Sequence, residues 1–229
     1  MSTLVEEMAS IIAARDYPGG YRWLRLAAAE AARAAQPGQY LEFAGRRWPL
    51  LRADPAQGWL DCLGRSDAAP AQGAALTLRG PLGSPFQLER ASPRALLLGK
   101  VDGLASLLFL ADRLRRQPTR IKTLLLLETG GELPFHPQPS RIIVPDLPSW
   151  VIAALPLCED WGIASRLASP GGEAGCYNGP LTELARLWLD TLQGTADVTV
   201  YACGDAELLG QTRRLAERYR LAWQGATAV

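Results

Sequence analysis

The sequence is poor in metal-binding side chains. It has a single histidine, His136, and four cysteines at positions 62, 158, 176 and 203, none of them in a C-x-x-C pair. Zinc and iron–sulfur sites need closely spaced thiolates or imidazoles, so a metal site of ordinary spacing is not expected. Long apolar runs are also missing. The longest, Leu124 to Leu127 and Val151 to Cys158, fall far short of the ~20 residues a membrane span needs. No block of like charge reaches five residues, and 24 basic against 23 acidic residues leave a net charge of +1. That balance gives no long-range attraction to nucleic acid or to an anionic membrane. Residues 1–7 hold two glutamates and no basic residue, so no secretory signal is visible. A soluble cytoplasmic protein is the expectation.

What is present is apolar mass: 48% of 229 residues, enough for one large or two small domains. Residues 1–92 are punctuated by turn signals, YPGG at 17–20, QPGQ at 36–39, DPAQG at 54–58 and RGPLGSP at 79–85. Between them YRWLRLA, QYLEFAG, WLDCLG and AALTLRG alternate in part, which predicts an antiparallel sheet closed into a six-stranded Greek-key barrel. Leu4, Met8, Ile11 and Ile12 fall on helical spacing, yet the Tyr17-Pro-Gly-Gly turn that follows favours a strand at about 8–15.

From residue 93 the pattern changes. ALLLG, IKTLLLLE, RIIV, IASRLAS, DVTVYAC and RLAWQG are short apolar runs, mostly separated by helical segments at about 104–116, 150–161, 180–192 and 205–219. Uninterrupted apolar strands suit a parallel sheet covered on both faces. Residues 93–229 are therefore expected to form a doubly wound α/β domain behind a barrel domain of residues 1–92, with a long proline-rich connection at 128–140. His136 lies in that connection and reads as a surface residue. Cys62 and Cys158 read as small apolar residues.

Several short stretches, in this order, resemble the ferredoxin–NAD(P)+ reductase superfamily, and more closely its dihydroorotate dehydrogenase electron-transfer subunit branch. Pro37-Gly-Gln-Tyr40 is similar to the family's P-G-Q-F/Y. Arg46-Arg47-Trp48-Pro49 falls at its flavin-binding R-x-Y-S/T, and Gly64-Arg65-Ser66 at a G-x-S/T on the flavin pyrophosphate. Gly80-Pro81-Leu82-Gly83 with Phe86 resembles its G-P-L-G-x-x-F. Gly99 to Ser106, with Gly103, takes the place of its nicotinamide glycine loop. Gly175-Cys-Tyr-Asn-Gly179 with Thr182 resembles its G-x-x-G-x-V-T, and Cys203-Gly204 with Leu208-Leu209 its C-G-P-x-x-M-L.

The resemblance implies FAD in the barrel groove and NAD(P)H in the crevice at Gly99, Gly175 and Cys203, with electrons passed to a redox partner protein or catalytic subunit. A homodimer is compatible with it. Arg46, or Arg47 if the register shifts by one, would grip phosphate with its planar fork, and Trp48 would stack on the flavin ring; the alternative reading makes Trp48 a barrel core residue and leaves the arginines solvated. Cys203 would be a crevice wall, not a nucleophile. The departures are specific. Pro49 offers no hydroxyl, and GKVDGLAS puts Lys100, Val101 and Asp102 where bare backbone should meet pyrophosphate. Asp102 is expected to cap the following helix. No cysteine follows Cys203, so the branch's [2Fe–2S] cluster is not expected. Two functions follow: a flavin-dependent NAD(P)H oxidoreductase or electron-transfer subunit, or a cofactor-depleted member of the fold serving as a binding or regulatory subunit.

Overall fold

The computed structural model describes residues 4–65, 70–88, 92–145 and 147–229. In the first part, β1 (Val5–Tyr17), β2 (Tyr21–Ala27), β3 (Tyr40–Phe43), β4 (Arg46–Asp54), β5 (Trp59–Arg65) and β6 (Ala75–Leu82) close a barrel in the order β1-β2-β5-β4-β3-β6, with α1 (Ala29–Ala34) between β2 and β3. Every strand pair is antiparallel. The N-terminal ambiguity resolves as a strand because Tyr17 pairs with Tyr21 across a turn in which Gly19 takes φ +70°. A spacing of four also keeps a strand face: Leu4, Met8 and Ile12 all point outward and are exposed, whereas Ile11 is buried.

Strand β4 was not among the expected strands. Its Trp48 and Leu50 join the barrel interior while Leu51 packs toward the second half, so both faces are apolar and the alternation that marks a half-buried strand is lost.

In the second part, β7 (Arg94–Lys100), α2 (Leu104–Arg115) and β8 (Lys122–Glu128) are followed by the two-residue antiparallel pair β9 (Gln138–Pro139) and β10 (Ala153–Ala154). Then come α3 (Pro156–Asp160), β11 (Ala164–Ala168), α4 (Leu181–Thr191), β12 (Val198–Gly204), α5 (Ala206–Tyr219) and β13 (Ala222–Thr227). The sheet is parallel in the order β11-β8-β7-β12-β13. Leu97 and Leu125 face the α2 side, and Leu96, Leu98 and Leu126 face α4 and α5, which is why these strands read as unbroken apolar runs.

Two expectations are corrected. RIIV is not a strand: Ile143 is exposed, and this stretch is held by the Glu159 carboxylate, which accepts from Ser140 Oγ (2.6 Å) and Arg141 N (2.9 Å). The helix expected at 150–161 shrinks to α3, since Ala153 and Ala154 pair with β9 and Pro156 opens the helix.

The two parts share one core. Tyr21, Leu51, Leu63 and Phe86 belong to the same buried cluster as Leu97, Leu104 and Leu108. Phe109 of α2 packs with the barrel interior. The Phe86 ring meets Tyr201 of β12 edge-on, centroids 5.7 Å apart, and Gln224 of β13 bonds both backbone groups of Gln87, at 2.7 and 2.9 Å.

Candidate functional site

Strand pairing builds a cleft on the outer face of the barrel. Tyr21 lies opposite Arg65 across β2 and β5, so their side chains share a face. On β4 the alternation sends Trp48 and Leu50 inward, leaving Arg47 and Pro49 outward. The leading turn of the second half then brings Val101, Asp102 and Ala105 against this face. The result is a cleft of about 300 Å³ lined by Tyr21, Arg46, Arg47, Pro49, Leu63, Gly64, Arg65, Val101, Asp102, Ala105 and Val229. An apolar groove of about 460 Å³ that includes Trp23, Leu51 and Phe135 shares Leu63 with it.

The electrostatics favour an anion. Arg46, Arg47 and Arg65 line the cleft, against Asp102 as the one acidic side chain among its described lining residues. Arg46 has no ion-pair partner among the described residues, and Arg47 is only loosely engaged, 3.3 Å from Glu42 with its guanidinium 5.3 Å from the Tyr40 ring centroid. Arg65 lies over the Tyr21 ring at 4.8 Å. The Tyr21 hydroxyl is buried with no hydrogen-bond partner among the described residues. Burial pushes its pKa up, the Arg65 charge opposes this, and Asp102 adds to it. A buried hydroxyl with no hydrogen-bond partner among the described residues, with the Arg65 guanidinium and the Asp102 carboxylate as its charged neighbours, is a place where a polar ligand atom would be welcome.

Other expected site residues have structural jobs. Trp48 is the clearest correction: it is 1% exposed and stacks on Phe43 inside the barrel, centroids 5.1 Å apart, so it presents no face to a flavin. Gly80 and Gly83 have positive φ and fit against β3, where added Cβ atoms would lie 2.7 Å from Leu41 Cδ2 and 3.3 Å from the Tyr40 ring. With Leu82, paired to Tyr40, they close the barrel and do not line the cleft. Ser66 lies outside the described residues.

The nicotinamide positions are likewise filled by packing. A Cβ on Gly99 would meet Leu107 at 2.4 Å, and one on Gly103 would meet the Cys203 carbonyl oxygen at 2.2 Å. These glycines let α2 and β12 touch; they do not leave backbone bare for a ligand. Cys203 is 1% exposed, covered by this contact, and so is no crevice wall; burial pushes its thiol up to about 11. Gly204 packs on Leu208, and Gly175 and Gly179 form a turn against Ile152 and Tyr177. Asp102 caps nothing: Gly103 precedes α2 and no side chain caps that helix. Lys100 reaches Asp205 at 2.7 Å instead of an open loop. The residues present at this end of the sheet do not fit a dinucleotide.

Sequence reasoning missed Tyr21 and the roles of Arg65 and Asp205. Arg65 lies inside the Gly64-Arg-Ser stretch and Asp205 stands where the family pattern has proline, so both are visible as letters. Their partners come from distant segments and are not.

No protein-family model matches the chain, and no curated protein is significantly similar to it in sequence. Solved structures share its fold. An NADH-dependent reduced ferredoxin-NADP oxidoreductase, described for flavin-based electron bifurcation, superposes with a TM-score of 0.68 at 13% identity, covering 94% of this chain and 74% of that one. The Amycolatopsis cytochrome P450 reductase GcoB gives 0.66 at 18% identity, covering 99% and 71%. The flavohem-like FAD/NAD-binding domain of nitric oxide dioxygenase from Vibrio cholerae gives 0.65 at 13% identity, covering 96% and 98%. At these identities the likeness establishes the fold: a ferredoxin-reductase-type barrel followed by an α/β unit.

Proposed function

We propose that the chain is a flavin-nucleotide-binding electron-transfer protein of ferredoxin-reductase type, similar to the dihydroorotate dehydrogenase electron-transfer subunits, that serves a partner protein. The observation that carries this reading is that Arg46, Arg47 and Arg65 line one cleft in which Asp102 is the one acidic side chain among the described residues. These arginines would hold the phosphate of FAD or FMN. Leu63, Val101 and Ala105 would face its apolar portion, and the Tyr21 hydroxyl would meet a polar ring edge. The bound flavin would supply the redox chemistry, and the protein positioning and charge.

A second reading is favoured by Trp48 and Pro49. With the indole turned inward and no hydroxyl beside it, the cleft would hold a phosphate-bearing ligand without redox use, and the chain would be a cofactor-depleted binding or regulatory subunit.

Equilibrium dialysis against FAD, FMN and riboflavin separates the two. The first reading expects FAD or FMN to bind and riboflavin, which lacks phosphate, to bind at least ~10-fold more weakly, since a charge-assisted hydrogen bond contributes about 1.5–3 kcal/mol. Arg47→Ala should lower flavin-nucleotide affinity by a similar ~10-fold or more. No uptake of any flavin would leave the second reading, and equal uptake of riboflavin would remove the phosphate assignment.

A further inference from the structure

In an open parallel sheet, ligands enter outside the carboxyl ends of the strands where the strand order reverses. Here that point lies between β7 and β12, neighbours in the order β11-β8-β7-β12-β13. Helix N-termini that follow such strands offer free N–H groups and positive potential to an anion. The crevice expected there is shut. At the end of the β7–β12 ladder Gly99 pairs with Cys203, and Gly103 lies so close to the Cys203 carbonyl that no Cβ fits between them. Just beyond the ladder, Lys100 Nζ meets Asp205 Oδ2 at 2.7 Å and Glu128 Oε1 at 3.9 Å. One lysine thus bridges the ends of β8, β7 and β12.

The N-terminal turns of α5 and α4 are occupied as well, while that of α2 has no side-chain cap. Asp205 Oδ1 accepts from Leu208 N at 2.8 Å in the first turn of α5, and Glu128 Oε2 accepts from Leu181 N at 3.0 Å, the first residue of α4. At α5 and α4 the chain's own carboxylates therefore take N–H groups that an anionic ligand would otherwise use. Bonding to Asp205 raises the Lys100 pKa, and bonding to Leu208 N and then to Lys100 lowers that of Asp205. Both groups stay charged at neutral pH, and the Lys100 charge is neutralised.

We infer that Lys100, Asp205 and Glu128 form an internal staple across the switch point that excludes a nicotinamide dinucleotide, so that the native chain does not take hydride from NAD(P)H at this end of its sheet. Two of the residues mark departures from the compared family pattern, Lys100 for glycine and Asp205 for proline, and they are each other's partner. The inference does not depend on whether the barrel cleft holds a flavin. Lys100 and Asp205 are part-exposed, at 32% and 52%, so removing the bridge should leave the fold intact.

The test is calorimetric titration of the flavin-free protein with NADH, NADPH and ADP-ribose, native and as the double variant Lys100→Gly/Asp205→Ser. Serine keeps a side-chain oxygen for the α5 cap while removing the charge. The native chain should show no saturable binding up to ~1 mM, and the variant should gain at least ~10-fold in affinity. Saturable micromolar binding by the native chain would overturn the inference. So would a double variant with unchanged circular dichroism and melting temperature but no gain in affinity. Because no flavin is present, neither result bears on Arg47 or the cleft.

Discussion

Trp48 is shielded from solvent and stacks on Phe43, so its indole belongs to the barrel core and not to the cleft. Trp48→Ala should cost about 3–5 kcal/mol, the range for deleting a large buried aromatic, measured by urea unfolding. Trp48→Phe should fold and keep the flavin affinity of the native chain; a selective loss of that affinity would return the indole to the binding site. The cysteines make a second test. Burial pushes Cys203 to about 11 and Cys158 to about 12. A thiol whose pKa is raised on folding contributes stability that is full below its unfolded value and lost as pH rises toward the folded one. For Cys203 the window runs from 9.0 to about 11. The urea midpoint should fall across it, and Cys203→Ala should flatten that fall. An equally steep decline in the variant would contradict the assignment.

At the scale of elements, α2 joins the two parts. Nearly all of its residues are buried, and its start is pressed on β12 at Gly103. Gly103→Ala should destabilise by about 1–3 kcal/mol as an overpacked contact. Gly210→Ala, in α5 with nothing within 4 Å of the added carbon, should stabilise by roughly 0.5–1 kcal/mol. Thermal melts of the pair check both signs. The same elements show what a sequence exposes. Strands β7, β8, β11 and β12 were legible because burial on two faces leaves a continuous apolar run. RIIV has such a run without the burial, its Ile143 being exposed, and so was misread. Strand β4 was hidden inside a presumed ligand motif, where Pro49 and a doubly apolar pattern masked the alternation.

At the scale of the whole molecule, the shared core sets both cooperativity and the site. Because Tyr21, Leu51, Leu63 and Phe86 pack in one cluster with Leu97 and Leu104, the barrel and the α/β part should unfold in one calorimetric transition, equal in van't Hoff and calorimetric enthalpy. Two separated transitions would show that the boundary near residue 92 divides independent units. The cleft was legible only in part for the same reason. Arg46 and Arg47 were readable from their neighbours in sequence, whereas Tyr21 and Arg65 meet only through the pairing of β2 with β5, and Asp102 joins them only when the turn before α2 docks on the barrel. The structure of the protein crystallised with FAD tests the central claim most directly. Phosphate density within hydrogen-bonding distance, ~3 Å, of at least two of the Arg46, Arg47 and Arg65 guanidinium groups is the predicted result. Flavin bound elsewhere, or a cleft that stays empty at saturating FAD, would contradict it.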